Sequence, residues 1–281
     1  MTNLAPARVS VHGGHSGPFC LHAKDALEDI VQEYIAQGFS WVGLTEHMTP
    51  NQDRFALPEE ASAGMTVEDH YVRFTAYFAE ARRLQQVYAP QIKLYVGFET
   101  ECISGYVDWV IQLRNAFQPD YIVGSAHHVQ DVLFDSSPED YQAAAQKCGG
   151  MDSLYCVYFD QQHELLTTLK PEVVGHFDVI RVFDPDYAGR LLKPDIWRRI
   201  QRNLDVVKEL GLILDFNLRA LSKGQPEPYL SRPILTRAFE MGITVVPGDD
   251  SHGVTSVGAN WDRGIQVLQE VGFAMNWRCP V

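Results

Sequence analysis

Several signatures of well-known protein classes are missing from this 281-residue sequence. It contains no Walker A loop and no G-x-S-x-G nucleophile elbow, so neither a P-loop nucleotidase nor a serine hydrolase is indicated. The cysteines are odd in number and widely spaced, without a C-x-x-C pair, which argues against a disulfide framework and is expected in a reducing cytosol. They are Cys20, Cys102, Cys148, Cys156 and Cys279.

Long apolar and basic segments are also missing. The longest apolar stretches, such as residues 94–98 and 210–214, are far shorter than the roughly 18 residues of a membrane span, and no secretory signal core is seen. Acidic residues outnumber basic ones by 36 to 23, for a formal net charge of −13. We therefore expect a cytoplasmic protein without membrane or nucleic-acid partners. Nothing in the sequence predicts its oligomeric state.

What the sequence does contain is an alternation of short apolar runs and amphipathic segments. The runs predict strands at 8–12, 41–45, 93–98, 121–126, 173–176, 212–216 and 244–247. Helical spacing is found at 25–37, 70–87, 107–117, 195–210 and 232–241, and Gly38, Gly211 and Gly242 follow three of these helices. Such alternation favours a parallel α/β architecture, closed or open, built as one domain over residues 1–281.

Histidines and carboxylates concentrate where the predicted strands end. Eight of the ten histidines lie there, whereas His70 and His163 fall in helices and are expected not to bind metal. Because the C-terminal ends of parallel strands share one face, the strand-end residues should converge. The candidate ligands are His12, His15, His22, Glu46, His47, Glu99, His127, His176, Asp250 and His252. This set suits two to three divalent ions of zinc, manganese or iron, with Glu99 placed to bridge two of them.

Two residues near these ligands are interpreted differently. His128 follows His127 directly, and neighbours on a strand point to opposite faces, so only His127 is expected to bind metal. Cys20 lies between His15 and His22, but a ligand role is the less favoured alternative because no second thiol accompanies it.

The same residues form motifs that resemble those of the PHP (polymerase and histidinol phosphatase) superfamily, and most closely its monofunctional histidinol-phosphatase branch. The motifs are HGGHSGPFCLHAKD, TEHMTP, VGFETE, VGSAHHV, VVGHFDVIRVF and PGDDSHG, in the family's order over residues 9–253. The resemblance implies a distorted (β/α)7 barrel related to the TIM barrel and a trinuclear metal site. It also implies hydrolysis of L-histidinol phosphate, a small phosphorylated substrate, in histidine biosynthesis.

One departure from the family pattern concerns the first motif. The usual His-x-His is replaced by His12 and His15 separated by Gly13 and Gly14, and we expect the glycines to allow a bend that turns both imidazoles inward. In the last motif Asp250 takes the ligand position.

The implied reaction assigns further roles. An activated water would attack phosphorus at the metals held by Glu99 and Asp250, with His128 or Asp249 as the general acid. Asp249 is also a candidate for orienting Asp250. Arginine matches phosphate bidentately, so Arg181 and then Arg219 are candidate phosphate clamps. The remaining candidates for contacts with the substrate are Glu101, Asp215, Asn217 and Tyr229.

Two alternatives remain open at this point. Another PHP-type phosphoesterase or nuclease would need basic flanking loops, yet segments 48–65 and 221–231, which are long enough to act as lids, carry little positive charge. A noncatalytic metal-binding module of the same fold would have lost ligand positions, and none is lost here.

Overall fold

The computed structural model describes residues 6–281 and contains a barrel of seven parallel strands. In the order in which neighbours pair, these strands are β1 (Arg8–Ser10), β2 (Phe39–His47), β3 (Lys93–Glu99), β4 (Tyr121–Gly124), β7 (Val173–Val174), β8 (Ile213–Asn217) and β9 (Thr244–Gly248). A separate antiparallel hairpin consists of β5 (His128–Val129) and β6 (Val132–Leu133). The predicted (β/α)7 barrel is therefore confirmed.

Backbone hydrogen bonds bring the first and last strands of this barrel together. The amide of Val11 donates to the carbonyl of Pro247 at 2.9 Å, and the amide of Asp250 donates to the carbonyl of His12 at 2.8 Å. The barrel is thus nearly closed. Tyr121 reaches from β4 to the first strand, where its hydroxyl donates to the carbonyl of Val11 at 2.6 Å.

Helices cover the outside of the sheet and fill the connections. They are α1 (Leu27–Ala36), α2 (Pro58–Ser62), α3 (Val67–Val87), α4 (Tyr106–Phe117), α5 (Pro138–Lys147), α6 (Met151–Leu169), α7 (Tyr187–Leu191), α8 (Pro194–Leu210), α9 (Arg219–Ser222), α10 (Arg232–Glu240) and α11 (Trp261–Val271). Gly38, Gly211 and Gly242 have φ of 75°, 65° and 65°, the left-handed conformation expected after a helix. None of the helices in residues 6–281 is long and apolar enough to cross a membrane.

Several predicted strands are shorter in the structure, and the difference matters for the site. The predicted strand at 173–176 keeps only two residues, because the chain leaves the sheet before His176, whose φ is 20°. The predicted strand at 8–12 ends at Ser10, before the two glycines. Most of the candidate ligands therefore lie on irregular segments outside the strands, whereas Glu46, His47 and Glu99 are the last residues of β2 and β3.

The segments predicted to be loops carry local helices. Segment 48–65 contains the 3-10 turn Asp53–Phe55 and helix α2, and it forms part of a cavity wall. Helices α5, α7 and α11 were not among the predicted segments, and α6 was indicated only by the placement of His163 in a helix. The five cysteines are all free, as their spacing indicated.

Candidate metal centre

The predicted ligand residues meet at the C-terminal end of the barrel. Eight of the ten line a cavity of about 260 Å³, and the other two, His12 and His15, are fully buried next to them. The chain thus brings all ten into one region, although they are spread over 241 positions from 12 to 252.

Glu99, at the end of β3, lies at the centre of this region. Its Oε2 is 3.0 Å from Nδ1 of His47 and 3.4 Å from Nε2 of His12. Its Oε1 is 2.8 Å from Nε2 of His176 and 3.4 Å from Nε2 of His127. Because its two oxygens face different histidines, this carboxylate has the arrangement needed to bridge two ions.

A first group of possible ligands is formed by His12, His15 and Asp250. Their donor atoms lie within 4.8 Å of one another, and Nε2 of His15 is 3.5 Å from Oδ1 of Asp250. Gly14 has a φ of 79°, and a Cβ on Gly13 would lie 2.5 Å from a carboxylate oxygen. The glycines therefore allow the tight bend that brings both histidines to the same group.

A second group lies at the outer side of the centre. It contains His22, His47 and His252, and Nε2 of His22 is 3.1 Å from Nε2 of His252. The buried thiol of Cys20 also belongs to this group, with Sγ 3.2 Å from Nδ1 of His22. Cys20 is the less favoured ligand by sequence because no second thiol accompanies it, and the fold is what brings it next to three histidines.

The charges in the centre depend on one another. Burial raises the pKa of Glu99, but the imidazoles of His12 and His127 outweigh it and hold that pKa well below its usual range. Burial together with the neighbouring His47 and His15 lowers the pKa of His22 to about 2. A neutral imidazole and an ionised carboxylate are the forms that bind metal.

Unpaired nitrogen atoms also fit a metal ion. Within residues 6–281, Nε2 of His12, of His15 and of His47 is buried and has no hydrogen-bond partner. Buried polar atoms without partners are rare in folded proteins. These three nitrogens, together with the carboxylates of Glu99 and Asp250, form a donor set that suits divalent ions.

Glu46, a predicted ligand, borders the cavity but is not part of the ligand groups described above. Its Oε1 accepts hydrogen bonds from Nδ1 of His15 and from the amide of His47, both at 3.1 Å. Its Oε2 accepts from the amide of Ser16 at 3.1 Å. Glu46 therefore orients the ring of His15.

Asp215, on β8, orients the ring of His12 in the way that Glu46 orients the ring of His15. Its Oδ2 pairs with Nδ1 of His12 at 3.0 Å and accepts from the amide of His176 at 3.2 Å. Asn217 donates to Asp215 at 3.0 Å and to Asp250 at 3.2 Å and is fully buried. Both side chains thus hold ligand residues in place, and neither borders the cavity where the predicted contacts with the substrate would form.

Glu101 supports a pair of adjacent histidines. Each of its oxygens is hydrogen-bonded to one Nδ1 atom, of His127 and of His128. Nε2 of His127 then faces Glu99 and His176, whereas His128 borders the cavity. Glu101 also borders the cavity, but both of its oxygens are engaged, so it positions histidines instead of binding a substrate directly.

The two arginines predicted to bind phosphate are placed differently. Arg219 borders the cavity and donates to the carbonyl of Asp250 at 3.0 Å. Arg181 is fully buried, and its guanidinium donates to Asp178, to Gln225 and to two backbone carbonyls of segment 227–228. These contacts fasten the segment after β8 to the barrel, and Arg181, the first predicted phosphate clamp, does not border the cavity.

Asp249 also lies away from the cavity. Its carboxylate accepts hydrogen bonds from Ser10, Tyr34 and the amide of Gly258, at 2.7, 2.7 and 2.8 Å. Burial raises its pKa to about 6. Asp249, one of the two predicted general acids, is thus engaged with β1, α1 and the amide of Gly258 and not with the cavity. Tyr229, in contrast, does border the cavity, and its hydroxyl has no partner in the described part of the chain.

Comparison with known proteins gives consistent results. The PHP domain model matches residues 13–219. A protein of Schizosaccharomyces pombe named probable histidinol-phosphatase is 38% identical over 94% of this chain and 87% of its own length. The histidinol-phosphatase of Saccharomyces cerevisiae is 28% identical over 92% and 88%.

A solved structure extends the comparison to the fold. The histidinol phosphate phosphatase of Lactococcus lactis, in complex with zinc, L-histidinol and phosphate, superposes with a TM-score of 0.70 at 19% identity. The superposition covers 96% of this chain and 95% of that protein. At this level of identity the likeness supports the fold.

Proposed function

The chain belongs to the PHP domain family, and on this premise we propose that it hydrolyses L-histidinol phosphate to L-histidinol and inorganic phosphate. The step belongs to histidine biosynthesis. The yeast relatives named for this activity support the substrate, and the observation that carries the chemistry is the bridging position of Glu99 between two sets of histidines. We place the enzyme in the cytoplasm, in keeping with its unpaired cysteines.

The proposed centre holds two to three divalent ions. The assigned ligands are His12, His15 and Asp250 for one ion, His22, His47 and His252 for a second, and His127 and His176 for a third, with Glu99 shared. Zinc is the first ion to test, since the Lactococcus lactis protein holds it, and manganese or iron accept the same ligands. When bound, such ions activate water near neutral pH and withdraw charge from phosphoryl oxygens.

Arg219 is the residue assigned to the phosphate group. Its guanidinium borders the cavity next to Asp250, and only one hydrogen bond, to the carbonyl of Asp250, occupies it among the described residues. The free edge of a guanidinium fits two phosphate oxygens. Arg219 thus orients the phosphoryl group and stabilises the charge that develops on it.

His128 is assigned to the leaving group. Its Nδ1 is hydrogen-bonded to Glu101, and the ring borders the cavity. The carboxylate fixes the orientation of the ring, and we assign His128 as the general acid that passes a proton to the alkoxide oxygen of histidinol. Tyr229, with its unpaired hydroxyl, is assigned to a contact with the substrate.

The size of the cavity and the charge of the chain support a small substrate. A cavity of about 260 Å³ accommodates a small phosphate ester, not a folded nucleic acid. The net charge of −13 describes the outer surface and would repel a polyanion. The positive charge that a phosphate requires is local, supplied by Arg219 and by the ions.

Phosphate release by the purified chain tests this proposal. The protein is stripped of metal with a chelator, reloaded separately with zinc, manganese or iron(II), and assayed with L-histidinol phosphate and with a short DNA oligonucleotide. We expect metal-dependent phosphate release from histidinol phosphate and no cleavage of DNA. Turnover of DNA alone, or full activity in the stripped protein, would overturn the proposal.

A further inference from the structure

A buried carboxylate and a buried imidazole lie on the cavity wall apart from the metal-ligand groups. Glu60 belongs to α2 and His70 to α3, and they are only 7% and 5% exposed. We propose that Glu60 and His70 form the subsite for the imidazole ring of the substrate and so select histidinol phosphate among phosphate monoesters. This inference rests on the proposed function, because it names the residues that bind the organic half of that substrate.

His70 has a nitrogen atom that the protein leaves unpaired. Nε2 is buried and has no hydrogen-bond partner among the described residues, although the ring borders the cavity. An unpaired buried acceptor lowers stability, so a histidine that served only to fill the core would be expected to pair this nitrogen. The vacant position of Nε2 therefore indicates a ligand.

The carboxylate of Glu60 lies beside this histidine, on the Nδ1 side of its ring. Its Oε2 is 3.8 Å from Nδ1 of His70 and accepts from the amide of Leu57 at 3.2 Å. Its Oε1 pairs with Arg73 at 3.3 Å, which keeps the carboxylate charged and in place. With its Nδ1 side toward a carboxylate, His70 presents Nε2 as the acceptor.

The charge state of His70 agrees with this role. Burial lowers its pKa, despite the opposing effect of the Glu60 carboxylate. At neutral pH the ring is then uncharged, and a neutral imidazole whose proton is on Nδ1 accepts a hydrogen bond at Nε2. The N–H of a substrate imidazole is a matching donor.

Apolar rings surround the same part of the cavity. Phe55 and Phe74, 6% and 3% exposed, both border it, as does Leu57. The ring of Phe55 lies 6.0 Å from that of His128, at an interplanar angle of 83°. The subsite thus adjoins His128, the residue assigned to the leaving group. Aromatic walls with one polar acceptor are suited to binding a heteroaromatic ring.

The positions of the two halves of the substrate follow from this arrangement. Phosphate is bound by the ions and Arg219, the alkoxide oxygen faces His128, and the imidazole lies beyond His128 toward Phe55 and His70. All of these residues border one continuous cavity.

A pair of substrates separates recognition of the imidazole from the chemistry. O-Phosphoethanolamine keeps the phosphate and the ammonium group of histidinol phosphate but lacks its imidazole. The zinc-loaded variant His70→Gln should lose about tenfold in kcat/KM for histidinol phosphate, the effect of one buried hydrogen bond. Its kcat/KM for O-phosphoethanolamine should stay within about twofold of the unaltered enzyme, since no contact with that substrate is removed.

The matched control is His163→Gln, the same exchange on α6 at a residue outside the cavity, which should change neither value. Calorimetric titration of zinc-loaded protein with L-histidinol adds a measurement that does not depend on turnover, and His70→Gln should weaken this binding about tenfold. If the unaltered enzyme releases no phosphate from histidinol phosphate, the proposed function itself fails. The subsite assignment is wrong if the unaltered enzyme is active but His70→Gln leaves two quantities unchanged. These are the ratio of kcat/KM for histidinol phosphate to kcat/KM for O-phosphoethanolamine, and the affinity for L-histidinol. An equal loss on both substrates would also contradict the assignment.

Discussion

Replacement of Glu99 by Gln changes a single oxygen to an amide nitrogen at the centre of the site. The native carboxylate lies within 3.4 Å of His12, His47, His127 and His176, with its oxygens divided between them. An amide has one oxygen able to bind metal and carries no charge, so it cannot bridge two ions. The change leaves side-chain volume nearly the same, which keeps the packing of β3 intact.

The expected size of the effect follows from the role of the ions. Stabilisation of phosphoryl charge by a metal ion contributes several kcal/mol to the transition state. Loss of about 4 kcal/mol corresponds to a rate lowered about 10³-fold. We therefore expect kcat for histidinol phosphate to fall by about three orders of magnitude in Glu99→Gln, together with the loss of at least one bound ion per chain.

Steady-state kinetics and elemental analysis of the same samples measure both effects. The exposed Glu209 on α8 provides the matched control, because Glu209→Gln removes one negative charge far from the cavity. This control should keep both activity and metal content. If Glu99→Gln retained its metal and more than about a tenth of its activity, Glu99 would not be the bridging ligand and the reasoning would be refuted.

Further predictions concern residues around the ions. Asp215→Asn, which weakens the acceptor of the His12 ring, should lower metal affinity by about 10- to 100-fold in a chelator competition; unchanged affinity would contradict the pairing. Arg219→Gln should raise KM for histidinol phosphate without lowering the melting temperature. Arg181→Gln should instead destabilise the fold by about 3–5 kcal/mol in urea unfolding. If Arg181→Gln raised KM and Arg219→Gln destabilised the fold, the two roles would be exchanged. Gly14→Ala, at a φ of 79°, should cost about 1–2 kcal/mol of stability and weaken metal binding, and a stable, fully loaded variant would refute the need for this bend.

The general position of the site could be predicted from the sequence. Apolar runs alternating with amphipathic helices indicate parallel strands, and parallel strands bring their C-terminal ends to one face. Residues as distant as His12 and His252 could therefore be assigned to one centre before the fold was known. This inference needs the order of the elements only and no knowledge of side-chain contacts.

The division of roles within neighbouring pairs could not be predicted. In Glu46–His47 and Asp249–Asp250, one residue faces the ligand groups and the other supports the backbone or a ligand ring. Which of the two faces inward depends on where the strand ends. That point is set by tertiary hydrogen bonds, so sequence spacing leaves it open.

Long-range contacts explain the remaining differences between the predicted and the observed positions of individual side chains. Arg181 is occupied by carbonyls of residues 227 and 228, and a contact over more than forty positions leaves no local signal. Glu60 and His70 come to the cavity only because segment 48–65 folds into α2 against α3. The helical location of His70 was predicted correctly, but its place on the cavity wall was not.

The multinuclear phosphatase centre is tested by titrating the metal-free protein with zinc while phosphate release from L-histidinol phosphate is recorded. We expect no turnover without metal, and an activity that continues to rise beyond one equivalent of zinc per chain and reaches its maximum at two to three. Full activity at one equivalent or less, or none at any zinc content, would contradict a multinuclear phosphatase centre.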